Sequence, residues 1–221
     1  MSEMGKYVVI EGHDGTGKTT QVPKIRDRLA AHGIASIEIH EPAKDPTKDG
    51  IKDEVEIADA IRALIKNGSL ERDGITNLFL FNVARHETWR QKAMPALKMD
   101  KWVVSARNYY STLAYQGYGE GIDLDLIYSQ VATATDQQYM NPDIAILLDL
   151  DDEEERLRRI ENRGPLENPD TFESKSGDFQ ARVKNAYLDI AKKHNASIIS
   201  AVGTQAEVTD RIWAVVEPHT C

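Results

Sequence analysis

Gly12-His13-Asp14-Gly15-Thr16-Gly17-Lys18-Thr19 follows directly on the apolar run Tyr7-Val8-Val9-Ile10 and precedes a stretch with helical character. Glycines at this spacing let backbone N–H groups turn inward around a polyphosphate, and a helix starting beyond Gly17 points its positive end at the same charge. The Lys18 ammonium can reach the outer phosphates, and the Thr19 hydroxyl can ligate Mg²⁺. Gly12 through Thr20, with His13, Asp14, Gly15, Thr16 and Gly17 between, therefore predict a site for a nucleoside triphosphate with its magnesium ion.

A loop of this kind needs a strand to launch it and a sheet to hold the strand. Four further short apolar segments have the character of strands: Ser36–Ile39, Trp102–Ser105, Ile144–Leu148 and Ser197–Ser200. Helical patterns separate them, which predicts an α/β fold, a doubly wound parallel sheet of five strands flanked by helices. Ligands of such sheets sit beyond the carboxyl ends of the strands. That rule selects Glu11, Glu41-Pro42, Ser105-Ala106-Arg107 and Asp149. Because Lys18 and Arg107 must flank one transferred phosphate, the first strand is expected in the middle of the sheet, beside the strand ending at Ser105.

Three other segments are informative. Residues 75–98 read as one helix that is apolar on several sides through Leu78, Phe79, Leu80, Phe81 and Trp89, consistent with either a subunit interface or packing within one domain. Asp151–Glu155, ahead of Arg156, Arg158 and Arg159, reads as the acidic first turn of a helix rather than a metal site. Residues 162–178 are polar and carry Gly164, Pro165, Pro169 and Gly177, the composition of a mobile lid within a single domain of residues 1–221.

The net charge of −9 argues against nucleic acid and anionic membranes as partners, so a few placed arginines must meet any anionic substrate. No apolar stretch approaches bilayer-spanning length, and the single cysteine is Cys221. A cytoplasmic location is expected.

A phosphate loop alone does not separate kinases from GTPases or motors. There is no Asn-Lys-x-Asp guanine signature, and the chain is too compact for the coupling domains of motors, which leaves a small-molecule kinase. Its acceptor needs a second cavity with a cation. If a helix starts near Asn108, Arg107, Ser111 and Tyr115 share one face at four-residue spacing. Phe81 and Arg85 have the same spacing on the long helix, offering a stacking ring and a donor fork.

In these features the chain resembles the thymidylate kinases. The family's phosphate loop is matched from Glu11 to Thr20, its Arg-Glu-Pro by His40-Glu41-Pro42, its Leu-Phe-x-x-x-Arg by Leu80-Phe81 through Arg85, and its acceptor motif from Arg107 to Gly117. Its closing pattern corresponds to Arg163-Gly164, Phe179, Arg182 and Tyr187. The resemblance implies transfer of the γ-phosphate of ATP to dTMP, and a homodimer built on the helix at 75–98 with that near 124–138. It implies that Phe81 stacks on thymine, Arg85 donates to a thymine carbonyl, and Thr112 meets the N3 edge. Tyr115 would pack against the sugar, Pro42 would be a cis-proline near the base methyl, and Asp14 would contact the sugar 3′-hydroxyl. Arg107 would hold the acceptor phosphate, with Ser111 and Gln116 completing that wall.

Departures touch the chemistry. Ala106 stands where the family has an aspartate that helps order the Mg²⁺ water shell, and Thr171 where it has a lid arginine. Gly15 carries no arginine in the loop, as one branch of the family does. Arg158, Arg159, Arg163 or Lys175 are the candidate replacements for the cation, with Arg163 assigned as catalytic alongside Lys18, Asp14 and Arg107. Glu11, Asp14 or Asp149 are candidates to order metal-bound water. Asn108 and His40 replace an aromatic residue and an arginine. A catalytically weakened nucleotide-binding sensor, or a kinase for another deoxynucleotide, are the alternatives to an active dTMP kinase.

Overall fold

A strand with no polar face has to be covered on both sides, and β1 (Tyr7–Gly12) is buried along its whole length. The computed structural model describes residues 4–43, 55–162, 172 and 175–220. Within them β1, β2 (Ser36–His40), β3 (Trp102–Ala106), β4 (Ile144–Asp149) and β5 (Ser197–Ser200) form one sheet in the order β2-β3-β1-β4-β5. Every pairing is parallel. As the sequence predicts, β1 is central and β3 lies beside it, with Val9 opposite Ser105 and Ile10 opposite Ala106. The chain leaving β1 as the phosphate loop and the chain leaving β3 as Arg107 therefore emerge side by side.

The period-2 geometry of the strands sorts their side chains into two cores. Tyr7, Val9, Val103 and Leu147 face one layer; Val8, Ile10, Val104, Ile146 and Leu148 face the other. The second layer is built by α1 (Lys18–Ala31), through Val22, Ile25 and Leu29, and by the C-terminal helix Gln205–Val216, through Val208, Ile212 and Trp213. The first carries the helices that hold the acceptor side.

In chain order the helices after α1 are α2 (Glu56–Lys66), α3 (Gly74–Thr88), α4 (Met94–Lys98), α5 (Tyr109–Thr112), α6 (Leu124–Ala134), α7 (Gln137–Met140), α8 (Glu153–Glu161), α9 (Gly177–Lys193) and α10 (Gln205–Val216). The segment expected as one helix over 75–98 is α3 and α4 joined by a π turn at Trp89–Ala93. Pro95 accounts for the widening, because it has no N–H to bond back and its ring crowds the preceding turn. α3 is not covered all round: Ile75, Phe79 and Val83, one turn apart, remain 39%, 50% and 44% exposed.

α8 opens as its acidic run predicts. The Asp152 side chain accepts from the Glu155 N–H at 2.9 Å, and Glu153, Glu154 and Glu155 fill the first turn. The expected lid falls largely on residues 163–171, 173 and 174, so Arg163 and Thr171 lie outside the described residues.

Candidate active site

The phosphate loop is held open from below. Gly12 and Gly15 have φ of 148° and 91°, and a Cβ at Gly15 would meet Arg156 Cγ at 2.9 Å. Only glycine satisfies both the backbone and the close approach of α8. Gly17, at φ 92°, caps α1, so Lys18 begins the helix and Thr19 and Thr20 stand exposed on its first turn. Lys18 Nζ donates to the carbonyls of Gly12 at 2.7 Å and His13 at 2.8 Å, and the Thr16 hydroxyl donates to the His13 carbonyl at 2.8 Å.

Arg107 ties β3 to this loop. It sits at φ 77°, an uncommon conformation for a side-chain-bearing residue, which turns its guanidinium toward β1. The guanidinium pairs with Asp14 and donates to Ser111 Oγ at 2.9 Å and Tyr187 Oη at 3.0 Å. Tyr115 Oη donates to the other Asp14 oxygen at 2.7 Å. Burial alone would raise the Asp14 carboxyl; Arg107 and Lys18, with the Tyr115 hydroxyl, outweigh it and hold it well below the usual carboxylate range.

The expected face of Arg107, Ser111 and Tyr115 exists, although its helix differs from the expected one. Asn108 caps α5 by accepting from Tyr110 N at 2.9 Å, and α5 passes after one turn into a π segment, Leu113–Gly119. Capping is the physical use of the asparagine that departs from the family pattern. Glu11 fixes the same corner by accepting from Asn108 N at 2.9 Å, Ser111 N at 3.0 Å and Ser111 Oγ at 2.9 Å. Both its oxygens are engaged, and Asp14 is shared by Arg107 and Tyr115. Of the three acids considered for metal-bound water, Asp149 at the end of β4 is the one without such partners among the described residues.

Arg85, on α3, is 2% exposed and lies among fixed polar groups. Its Nε donates to Glu41 at 3.1 Å and Tyr139 Oη at 2.8 Å, Nη2 donates to Thr112 Oγ1 at 2.8 Å, and Nη1 donates to Asn82. Burial pushes the Glu41 carboxyl up, against the opposing pull of Arg85 and Tyr139. The Glu41-Pro42 peptide is cis. One turn before Arg85, Phe81 is half-buried, its ring centroid 6.2 Å from that of Phe172, which in turn meets Tyr115 edge-on at 5.6 Å. Phe81, Arg85, Thr112 and Tyr115 thus line one region, with Gln116 buried behind it and donating to Glu120 at 3.2 Å.

The family model for thymidylate kinase matches residues 10–212. The chain belongs to the thymidylate kinase family. It is 33% identical to the thymidylate kinase of Carboxydothermus hydrogenoformans over 213 residues, 96% of this chain and 97% of that protein. It is 34% identical to that of Dichelobacter nodosus over 210 residues, 94% and 95% of the two chains. The crystal structure of thymidylate kinase from Ehrlichia chaffeensis superposes with a TM-score of 0.69 at 26% identity, covering 96% of this chain and 99% of that one.

Against the thymidylate kinase pattern, the candidate replacement cations fall in unequal places. Arg158 is 69% exposed and paired with Glu155; Arg159 bonds Glu155 at 2.7 Å and the Ala201 carbonyl at 3.1 Å. Lys175 pairs with Glu120 at 2.6 Å and lies over the rings of Phe172 and Phe179. Arg156 also touches the phosphate loop, its Nη1 donating to the Asp14 carbonyl at 3.2 Å. It has no motif signal. His40 is buried, with Nε2 3.7 Å from Glu38 and no hydrogen-bond partner for it among the described residues.

Gln180, on α9, is another contributor without a sequence signature. Its Nε2 donates to the Phe172 carbonyl at 2.7 Å, so its Oε1 faces His13 Nε2 at 2.8 Å and accepts from it. Burial lowers the His13 ring to about 4, which keeps it neutral. The phosphate loop is thereby linked to Phe172.

Among the described residues there is no group of three His, Cys, Asp or Glu side chains able to hold a metal. The exposed Thr19 hydroxyl on the first turn of α1 and the Asp149 carboxylate at the end of β4 are oxygen donors of the kind a Mg²⁺ ion takes. No described helix is long and apolar enough to cross a membrane.

Proposed function

We propose that the protein transfers the γ-phosphoryl group of ATP to dTMP, giving dTDP and ADP. The observation that carries this reading is the joining of the two halves of the site through Asp14, which pairs with Arg107 and accepts from Tyr115 while sitting inside the phosphate loop. A simple ATP sensor has no need of an acceptor wall anchored there.

The residues divide the work. A triphosphate in the loop draws Lys18 off the Gly12 and His13 carbonyls and meets the backbone N–H groups at the start of α1. Arg107, held by Ser111 and Tyr187, offers its donors to the acceptor phosphate. The Tyr115 ring lies along the sugar and leaves little room for a 2′-hydroxyl. Phe81 stacks on the base, Pro42 faces its methyl, and Thr112 sits at its N3 edge. Arg85 uses one N–H on each terminal nitrogen for Asn82 and Thr112, which leaves donors for a thymine carbonyl. Thr19 would ligate Mg²⁺ and Asp149 would hold water of its shell; the ion supplies charge neutralisation between the phosphates.

The exposed stripe Ile75, Phe79 and Val83, with Leu126 on the adjoining α6, supports a homodimer. The single terminal cysteine supports a cytoplasmic location. An ADP-release assay run with each deoxynucleoside monophosphate tests the function: dTMP should be turned over and dCMP rejected. Equal turnover of dCMP would keep the kinase and remove the thymine assignment.

A further inference from the structure

His13 is engaged at both of its ends. Its carbonyl accepts from Lys18 Nζ at 2.8 Å and from the Thr16 hydroxyl at 2.8 Å, inside the phosphate loop. Its ring leaves the loop and donates through Nε2 to Gln180 Oε1 at 2.8 Å, while Nδ1 is buried with no hydrogen-bond partner among the described residues. Gln180 Nε2 donates in turn to the Phe172 carbonyl at 2.7 Å, which also accepts from the Lys175 N–H at 3.3 Å. Turning the Gln180 amide over would set its oxygen against that carbonyl, so one arrangement of the three residues is allowed.

The Phe172 ring touches both aromatic walls of the acceptor side. Its centroid is 6.2 Å from that of Phe81 and 5.6 Å from that of Tyr115, which it meets edge-on. Phe172 is buried, so a shift of its backbone is passed to both rings. Seven residues after Gln180, on the same face of α9, Tyr187 Oη accepts from Arg107 at 3.0 Å. Asp14 already joins the loop to Tyr115. Gln180 makes a second connection from the same loop, and it ends on the ring that packs against Phe81.

We propose that Gln180 is a positioning residue for the acceptor nucleoside, setting the Phe172 ring against Phe81 and Tyr115 according to whether a triphosphate fills the phosphate loop. A phosphate oxygen is a stronger partner for the Lys18 ammonium than a carbonyl is. When Lys18 turns to the triphosphate, the His13 carbonyl keeps Thr16 and loses Lys18. The ring at the other end of the same residue carries that adjustment to Gln180, and Gln180 carries it to the Phe172 backbone. Phe172 then settles against the apolar surface of the pyrimidine and deoxyribose. The nucleoside in turn favours the loop arrangement that holds the triphosphate, because coupling between two sites is reciprocal.

The inference rests on the dTMP kinase reading above. Calorimetric titration of dTMP with and without the β,γ-methylene analogue of ATP and Mg²⁺ tests it, the ratio of the two Kd values being the coupling. Wild-type protein should bind dTMP at least about fivefold more tightly with the analogue present. In Gln180→Ala the ratio should fall below about twofold, with the Kd of the analogue alone within about threefold of wild type. Gln180→Glu, which can accept from His13 but sets an oxygen against the Phe172 carbonyl, should lose the ratio as well. His13→Gln, whose amide N–H replaces the ring N–H toward Gln180, should keep it to within about twofold. A wild-type ratio of one would overturn the proposal, as would a wild-type ratio in Gln180→Ala. Parallel weakening of both ligands at an unchanged ratio would overturn it too, because that describes a prop for the fold. Should Gln180→Ala not fold, Phe172→Leu decides: it keeps the carbonyl and removes the ring, so a lost ratio supports the proposal and a retained one overturns it. Wild-type protein that binds the analogue but no dTMP would instead remove the dTMP kinase reading itself.

Discussion

The Tyr115 hydroxyl donates to the Asp14 carboxylate at 2.7 Å across 101 residues of sequence, and Asp14 pairs through its other oxygen with Arg107. One carboxylate therefore orients the aromatic wall and the guanidinium of the acceptor side while belonging to the loop that binds the donor. A hydrogen bond to a charged group contributes about 1.5–3 kcal/mol. Tyr115→Phe should lower kcat/KM for dTMP about tenfold with little change in KM for ATP. Steady-state kinetics with each substrate varied in turn check this, and a change under twofold would mean that the bond is incidental.

Arg107→Ala should weaken dTMP binding at least about tenfold and leave ATP binding largely intact, since Ser111 and Tyr187 hold the guanidinium on the acceptor side, away from the N–H groups of α1 that meet the triphosphate. Calorimetric titration with each nucleotide separates the two. Equal losses for both would place Arg107 on the donor side.

Base selection should divide between Phe81 and Arg85. Stacking serves any base, whereas a guanidinium donor faces an oxygen in thymine and an amino group in cytosine. Arg85→Ala should narrow the dTMP-to-dCMP preference, and Phe81→Ala should lower both activities with less change in their ratio. Removing Arg85 also leaves Glu41 buried without its charge partner, at a cost of about 3–5 kcal/mol. The double variant Arg85→Ala with Glu41→Gln should recover part of the stability but not the base preference. Thermal melts alongside competition assays distinguish the two effects.

How legible the site is in sequence depends on the range of the contact. The phosphate loop and the Arg107, Ser111, Tyr115 face are local patterns, and the spacing survives even though a π segment carries Tyr115. The adjacency of β1 and β3 followed from the need to bring Lys18 and Arg107 together. The reach of Arg156 to Asp14 spans 142 residues, and that of His13 to Gln180 spans 167; no periodicity encodes either. The apolar character of α3 was visible, but which of its residues stay exposed is settled by packing against neighbours far away in the chain. Glu11, legible as an acid at a strand end, is consumed as a fixed acceptor for three groups of the 108–111 turn.

His13 gives a pH signature. Its ring titrates at about 4 in the folded protein against 6.5 in an unperturbed histidine. Between these values the unfolded chain binds a proton that the folded chain does not, so stability is fully present above 6.5 and falls as pH drops toward 4. The difference in unfolding free energy between wild type and His13→Gln should shrink by on the order of 3 kcal/mol from pH 7 to pH 4. Denaturant melts at several pH values measure it. A difference independent of pH would mean that the His13 ring titrates alike in the folded and the unfolded chain.

The identity of the acceptor decides between a thymidylate kinase and a kinase for another deoxynucleotide. Incubation of the protein with γ-labelled ATP, Mg²⁺ and an equimolar mixture of dTMP, dCMP, dAMP and dGMP, followed by chromatography of the products, tests it directly. Label should appear in dTDP with the other three diphosphates at background. Label distributed among several deoxynucleoside diphosphates, or retained in ATP while the protein binds both nucleotides, would contradict it.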